Sequence, residues 1–384
     1  MSKERSYKKI YFTDSQKRLF LISPHWYMGI FSRGTGKTTR KQALRSFLTA
    51  KNVPGGVSVF YNATYIGAQQ RTVANTIAGW KELGLQEGVD YVKNIAPPDN
   101  FMENTDYAPL TWKNTITFYN GHIFVIGSND RPGLVNSLSI TGGIFVDECR
   151  FIDEELMRQD LYPAIRGKNR WGKYNPYVYS RTYTTDMPYI TDNANWLFDF
   201  EELMNKEQIY LIAQASVKVE KVKNKILYHQ ELFAKATEYE IKARHLKKIN
   251  SLRLSLQKKQ DYLNKIRTYY KGNKGSVYYD TGSFLSNIAI LGKDYFFDNV
   301  DKRNHLVAKT SFLNIRPEEV ENKFYPHLAA KHFIKGNFNY SKIELFGISE
   351  PNSKSQLKAI HIKDYDKDRP VDIEFDYGDM CSCS

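Results

Sequence analysis

The chain has 384 residues, 41% hydrophobic and 25% charged, and a net charge of +13. That balance provides for a real core and two or three domains, and it excludes a disordered chain. No run approaches the ~20 apolar residues that cross a bilayer, MSKERSYKKIYF lacks a signal-peptide core, and Cys149, Cys381 and Cys383 are too few for a disulfide framework. A soluble protein of a reducing compartment is expected, and the excess positive charge suits a polyanionic partner such as nucleic acid.

In chain order, the first predicted strand is WYMGIF, residues 26–31, followed by SRGTGKT and the helix-forming TTRKQALRSFLTA. A phosphate-binding loop reads G-x-x-x-x-G-K-[ST], and here Phe31 stands in place of the opening glycine. Gly34 and Gly36 let backbone N–H groups turn toward phosphate oxygens, Lys37 reaches the outer phosphates and Thr38 can ligate Mg2+. Apolar runs at 57–61, 115–119, 123–126, 143–146 and 177–179 then alternate with helical stretches. Such alternation predicts an α/β fold with a mainly parallel sheet between helices, and NGHI at 120–123 reads as a hairpin turn.

The run GGIFVDECRF places Asp147 and Glu148 at a strand end. In P-loop ATPases of the additional-strand catalytic-glutamate type, such an acid holds the Mg2+ water shell and the adjacent Glu polarises the attacking water. An acidic helix N-terminus is the plainer alternative.

From Tyr189 to Lys271 there is neither glycine nor proline. Within that stretch Ile249, Leu252, Leu256, Leu263, Ile266 and Tyr270 follow a 3-4 repeat broken only by Lys259, which predicts a long helical hairpin. Residues 216–274 hold 16 Lys+Arg against 5 Asp+Glu, leaving 39 against 37 for the rest of the chain. This basic segment contacts phosphate backbone or a partner subunit, or is a solvated face. Mixed short elements follow Gly272, SEPNSKSQ at 349–356 reads as a linker, and DIEFDYGDMCSCS begins a new strand.

The stretch Ser32-Arg33-Gly34-Thr35-Gly36-Lys37-Thr38, taken with the acidic pair, resembles the large terminase subunits of tailed bacteriophages and related viruses. Those DNA-packaging motors commonly carry a deviant loop with Ser-Arg before the glycine. VSVFYNATYIGAQQRT and NGHIFVIGSNDRPGLVNSLSITGGIFVDE are similar to the family's neighbouring segments, and the resemblance covers about residues 10–350, least well over the basic helices.

What the resemblance implies is specific. ATP and Mg2+ would be the ligands, with ATP bound by Gln16 as an adenine reader and by Ser32, Arg33, Gly34, Thr35, Gly36, Lys37, Thr38 and Thr39. Thr38 and Asp147 would hold the metal, Glu148 would activate water, and Arg33 would stabilise the γ-phosphate. VYSRTYTTDMP resembles the coupling motif, a strand ending in small hydroxyl residues, which Thr184 and Thr185 would supply. Arg150, Arg158, Arg166 and Arg170 are all open as a finger from a neighbouring subunit.

The implied partners are double-stranded viral DNA, a portal protein on the procapsid, a small terminase subunit and further copies in a ring, in the host cytoplasm and without a membrane. The implied division is an ATPase core at 1–215, the basic hairpin at 216–274, a remainder or lid subdomain at 275–350, and at 351–384 a linker with the first strand of an RNase H-like nuclease. IEFDYGD supplies that strand, with Asp376 as its metal ligand. The sequence ends eight residues later, so nuclease activity is expected to be absent, as in a truncated gene, a split gene or an isolated ATPase piece. Two rivals are a superfamily helicase, for which residues 275–384 lack a G-R-x-x-R-like element, and a non-hydrolysing DNA-binding scaffold.

Overall fold

Apolar residues of the central strands point alternately to two sides, which places helices on both faces of one sheet. A computed structural model describes residues 10–317, apart from 103, 104, 106, 190, 191, 193 and 301–304. Asp376, the 349–356 linker and the 351–384 segment lie outside the described residues.

Helix α1 spans Asp14–Ile22 and is followed by β1, Trp26–Phe31. The loop then enters a π-helical turn, Lys37–Gln42, that continues as α2, Ala43–Asn52. Next come β2 (Val57–Asn62), α3 (Tyr65–Gly67), a second π-helical turn (Ala68–Val73) and α4 (Ala74–Glu82). Strand β3 (Tyr91–Lys93), α5 (Asp99–Met102), β4 (Thr115–Phe118), β5 (Ile123–Ser128) and β6 (Gly143–Asp147) follow, then α6 (Glu154–Leu156) and β7 (Ser180–Thr185). Helices α7 (Trp196–Leu203), α8 (Lys206–Lys235) and α9 (Tyr239–Thr268) lead to a two-residue ribbon, β8 (Tyr269–Tyr270) with β9 (Asn273–Lys274), and to β10 (Val277–Gly282).

The main sheet has the order β10-β1-β7-β6-β2-β5-β4-β3. The six strands from β10 to β5 are parallel, and β4 and β3 extend the sheet antiparallel. Strand β7 therefore lies between β1, which feeds the glycine-rich loop, and β6, which ends in Asp147. The NGHI turn joins β4 to β5, with Gly121 at φ 78 and its N–H donating to the Phe118 carbonyl at 2.9 Å.

Alternation decides the two cores. Val59, Tyr61, Ile144 and Val146 pack on one side with Met157, Leu197 and Phe200. Phe60 and Phe145 pack on the other with Ala43, Ile77, Trp80 and Phe124. Burial on both faces explains why β6 reads as continuously apolar.

Two sequence expectations shift. The run 177–179 is not a strand: Tyr179 has φ 55, and Tyr177 and Val178 pack on Val53 while the Tyr177 hydroxyl meets Ser23 Oγ at 2.7 Å. The strand is the more polar SRTYTT that follows, which tolerates burial because its threonine hydroxyls find partners. The helical repeat also stops at Ile266, since Tyr270 pairs with Asn273 in the ribbon.

The hairpin is α8 and α9, and it begins at Lys206, where Asn205 caps α8 by accepting from the Gln208 N–H at 2.9 Å. Its base packs Ile212, Ala215, Val219, Leu263 and Ile266 against Leu19 and Ile22 of α1, Tyr27 of β1 and Tyr278 of β10. Val222, Ile226 and Ile249 continue the seam outward.

Candidate nucleotide site

The loop between β1 and α2 turns on two glycines in the left-handed region, Gly34 at φ 77 and Gly36 at φ 75. A side chain at either position would strain the backbone, and at Gly34 a Cβ would also lie 2.6 Å from Leu291. Loop hydrogen bonds fix the rest. Thr35 Oγ1 donates to the Ser32 carbonyl at 2.9 Å, and the Gln16 amide donates to the Thr35 carbonyl at 3.3 Å. Gln16 also caps α1, its Oε1 accepting from the Thr13 N–H at 3.1 Å. Both ends of this buried amide are thus used within the chain.

A cleft of about 440 Å³ opens beside the loop. Its walls include Arg33 and the run Gly34 to Thr39, together with Glu148, Arg150 and Asp186. Ser32 is fully buried behind them.

At the floor, Thr38 Oγ1 donates to the Asp147 carboxylate at 3.1 and 3.3 Å across 109 residues of sequence. Thr72 Oγ1 at 3.2 Å and Thr184 Oγ1 at 2.9 Å donate to the same carboxylate. Burial pushes the Asp147 carboxyl up from the usual range, and the Thr184, Lys37, Thr38 and Thr72 groups oppose that rise. Thr184 also reaches Gln42 Oε1 at 3.2 Å, so the end of β7 is tied to both β6 and the first turn after the loop. Thr185 is buried beside it and accepts from the Arg150 N–H at 3.3 Å.

Glu148 follows Asp147 in the left-handed region, φ 52, a conformation uncommon for a residue with a side chain and often kept where function requires it. Burial first, then the Asp186 and Asp147 charges, push its carboxyl up to about 7 against the opposing pull of Lys37 and Arg150. A carboxylate poised there is suited to exchange protons near neutral pH.

Sequence reasoning missed Asp186. It follows Thr185 directly, is buried, and receives both Lys37 Nζ and, at 3.5 Å, Arg33 Nε. Lys37 also donates to the Phe31 carbonyl at 2.9 Å and the Ser32 carbonyl at 3.4 Å. The signal was present as the acid that closes TYTTD at 182–186, but nothing local says that this strand lies beside β1. Thr72, which helps hold Asp147, was missed for the same reason.

The four arginines separate by environment. Arg150 lines the cleft of its own chain, with Nη1 on Asp192 at 3.2 Å and its guanidinium 4.3 Å from the Phe151 ring centroid. Arg158 pairs with Glu154 at 2.8 Å, Arg166 donates to the Leu138 carbonyl at 3.3 Å, and Arg170 lies 5.0 Å from the Trp171 ring centroid. None of the last three lines the cleft.

The donor set suits a hard divalent cation. Thr38 and Asp147 offer oxygens that already converge, and Mg2+ takes one or two protein oxygens while keeping waters and phosphate oxygens.

Neither a family model nor a curated protein matches this sequence. Among solved structures it is similar to the large terminase ATPase domain of Thermus phage P74-26, with TM-score 0.40 and 10% identity over 80% of this chain and 93% of that one. It is also similar to the large terminase of a thermophilic bacteriophage in complex with ADP, with TM-score 0.30 and 12% identity over 46% and 38%. The Phi-28 DNA packaging motor overlaps with TM-score 0.28 and 15% identity over 46% and 49%. Overlaps so loose carry no weight for function, which has to come from the residues of the site. Among the described residues no helix is long and apolar enough to cross a membrane.

Proposed function

We propose that this chain is an ATP-hydrolysing motor subunit of the large-terminase kind, which drives double-stranded viral DNA into a procapsid. The observation that carries the nucleotide site is the contact of Thr38 with Asp147, which closes the glycine-rich loop against the acidic end of β6. The position of β7 between β1 and β6 supports the additional-strand class. The terminase assignment draws on the Ser32-Arg33 loop and on the neighbouring segments that resemble that family.

In this reading the N–H groups of the loop and the start of the following helix receive the triphosphate, as anions are received at helix N-termini. Lys37 exchanges its Asp186 contact for the outer phosphates, and Arg33 turns from the same carboxylate toward the γ-phosphate. Mg2+, held by Thr38 and Asp147, would neutralise phosphate charge. Glu148 orients the attacking water and takes its proton. Thr184 reports the state of Asp147 to β7, a coupling role that Thr185 shares through the Arg150 backbone. Gln16 is assigned to bracing the loop through Thr35 rather than to reading adenine. The portal, the small subunit, further copies in a ring and the host cytoplasm complete the proposal.

The test is turnover in Glu148→Gln. ATP should still bind, while hydrolysis falls by roughly a hundredfold or more, the usual loss on removing a general base. Turnover close to wild type would remove Glu148 from the reaction.

A further inference from the structure

The charge of the helical hairpin is sorted by side. On α8, Lys218, Lys221 and Lys225 stand at i, i+3 and i+7, so they share one face, and all three are exposed. Lys218 faces Lys258 and Lys259 of α9 across a groove of about 410 Å³, further lined by Gln214, Ser255 and Tyr262. On α9, Lys248 precedes Ser255 by seven residues and Lys259 by eleven, and Arg244 precedes Lys248 by four. Helical periodicity therefore brings both onto the groove side.

Among the described residues no carboxylate lines the groove itself. Glu220 and Asp261 line the cavity on the other flank of the hairpin, with Lys223 and Arg267. Glu231 is eleven residues beyond Glu220 and shares its side, Glu238 stands at the N-cap of α9, and Glu240, four residues before Arg244, meets the groove stripe only at its outer end. Among the described residues the hairpin's ion pairs are Lys223 with Glu220, on the other flank, and Lys271 with Glu207, which meets the groove stripe only at its base, eleven residues before Lys218.

A merely solvated face has no use for this separation. Like charges at i, i+4 repel each other, and interleaved acids would relieve them. The seven cations instead form rows of about 10 and 22 Å at 1.5 Å per residue. Duplex DNA presents one charge per ~1.7 Å of axis, so such rows meet several phosphates.

We infer that the groove face of the α8–α9 hairpin, centred on Lys218, Lys258 and Lys259, is a sequence-independent binding surface for the phosphate backbone of duplex DNA. Lysine contributes point charge rather than base reading. A single-strand surface would display a row of aromatic platforms, whereas the groove contains one aromatic, Tyr262. The choice of DNA as the duplex rests on the packaging role proposed above. The charge sorting does not.

The experiment titrates the full chain against a short duplex, its single strand and an RNA of the same length over a range of salt concentrations. K218Q/K258Q/K259Q is compared with K223Q/K242Q/R253Q, which removes equal charge away from this face. Matching circular dichroism and melting curves verify that both fold. At ~0.9 per phosphate contact, the groove variant should lower the slope of log K against log salt by about 2–3, while the control stays near wild type. Equal losses in the two variants would overturn the surface, because then only net charge matters. A loss confined to single-stranded DNA or to RNA would overturn the duplex assignment. ATP turnover is measured in parallel: a DNA loss specific to the groove variant, together with a wild-type chain that never hydrolyses ATP, would uphold the surface and sink the motor reading.

Discussion

Asp186 is the residue on which nucleotide-free and nucleotide-bound states of the proposed site would differ most. Its carboxylate occupies Lys37 and Arg33, the two cations that a γ-phosphate would claim. Binding an anion must therefore displace another anion, and Asp186 is then left facing the phosphates. Asp186→Asn removes the competitor at little steric cost, so ATP should bind several-fold more tightly, as read by titration with a fluorescent nucleotide. Unchanged or weaker binding would mean that Asp186 positions the lysine instead of competing with phosphate. Glu148 bears on the same balance, since Asp186 is the first charge after burial that raises its carboxyl.

At the scale of elements, the hairpin is anchored at its base and thins outward. Leu263 is 2% exposed in the cluster that joins α9 to α1, β1 and β10, whereas Leu254 is 64% exposed. Leu263→Ala should cost about 2–5 kcal/mol and Leu254→Ala close to nothing, measured by denaturant unfolding. Equal costs would show that the hairpin is not held by its base.

The elements also show what a sequence can and cannot reveal. WYMGIF, the glycine-rich loop and GGIFVDE were legible because local pattern and local structure coincide there. SRTYTT was legible only through the family resemblance, because its burial depends on Asp147 and the Arg150 backbone, which come from another strand end. The same non-local logic hid Asp186 and Thr72. The hairpin was legible from its lack of glycine and proline, but Tyr270 left the helix because Gly272 permits the turn of the ribbon, φ 90.

At the scale of the whole molecule, pH tests the packing between β2, β5 and the end of α2. His122 is fully buried, with Nδ1 on the Val53 carbonyl at 2.7 Å and Nε2 on Ser58 Oγ at 3.0 Å. Burial lowers its pKa from 6.5 to about 4. The fold favours the neutral ring, so the stability it contributes is present above pH 6.5 and is lost as pH falls through 4. The melting temperature should drop over that window, and His122→Gln should flatten the drop while costing about 1–3 kcal/mol at neutral pH. An identical acid slope in the variant would place the titration elsewhere.

The central claim, that the loop after β1 and the acids ending β6 form one site for Mg2+-ATP, is tested most directly by calorimetric titration with a non-hydrolysable ATP analogue. The wild-type chain should bind one equivalent in a Mg2+-dependent manner, and Lys37→Ala, folded by circular dichroism, should lose that binding. No saturable heat with the wild type, or equal binding by the variant, would contradict the account.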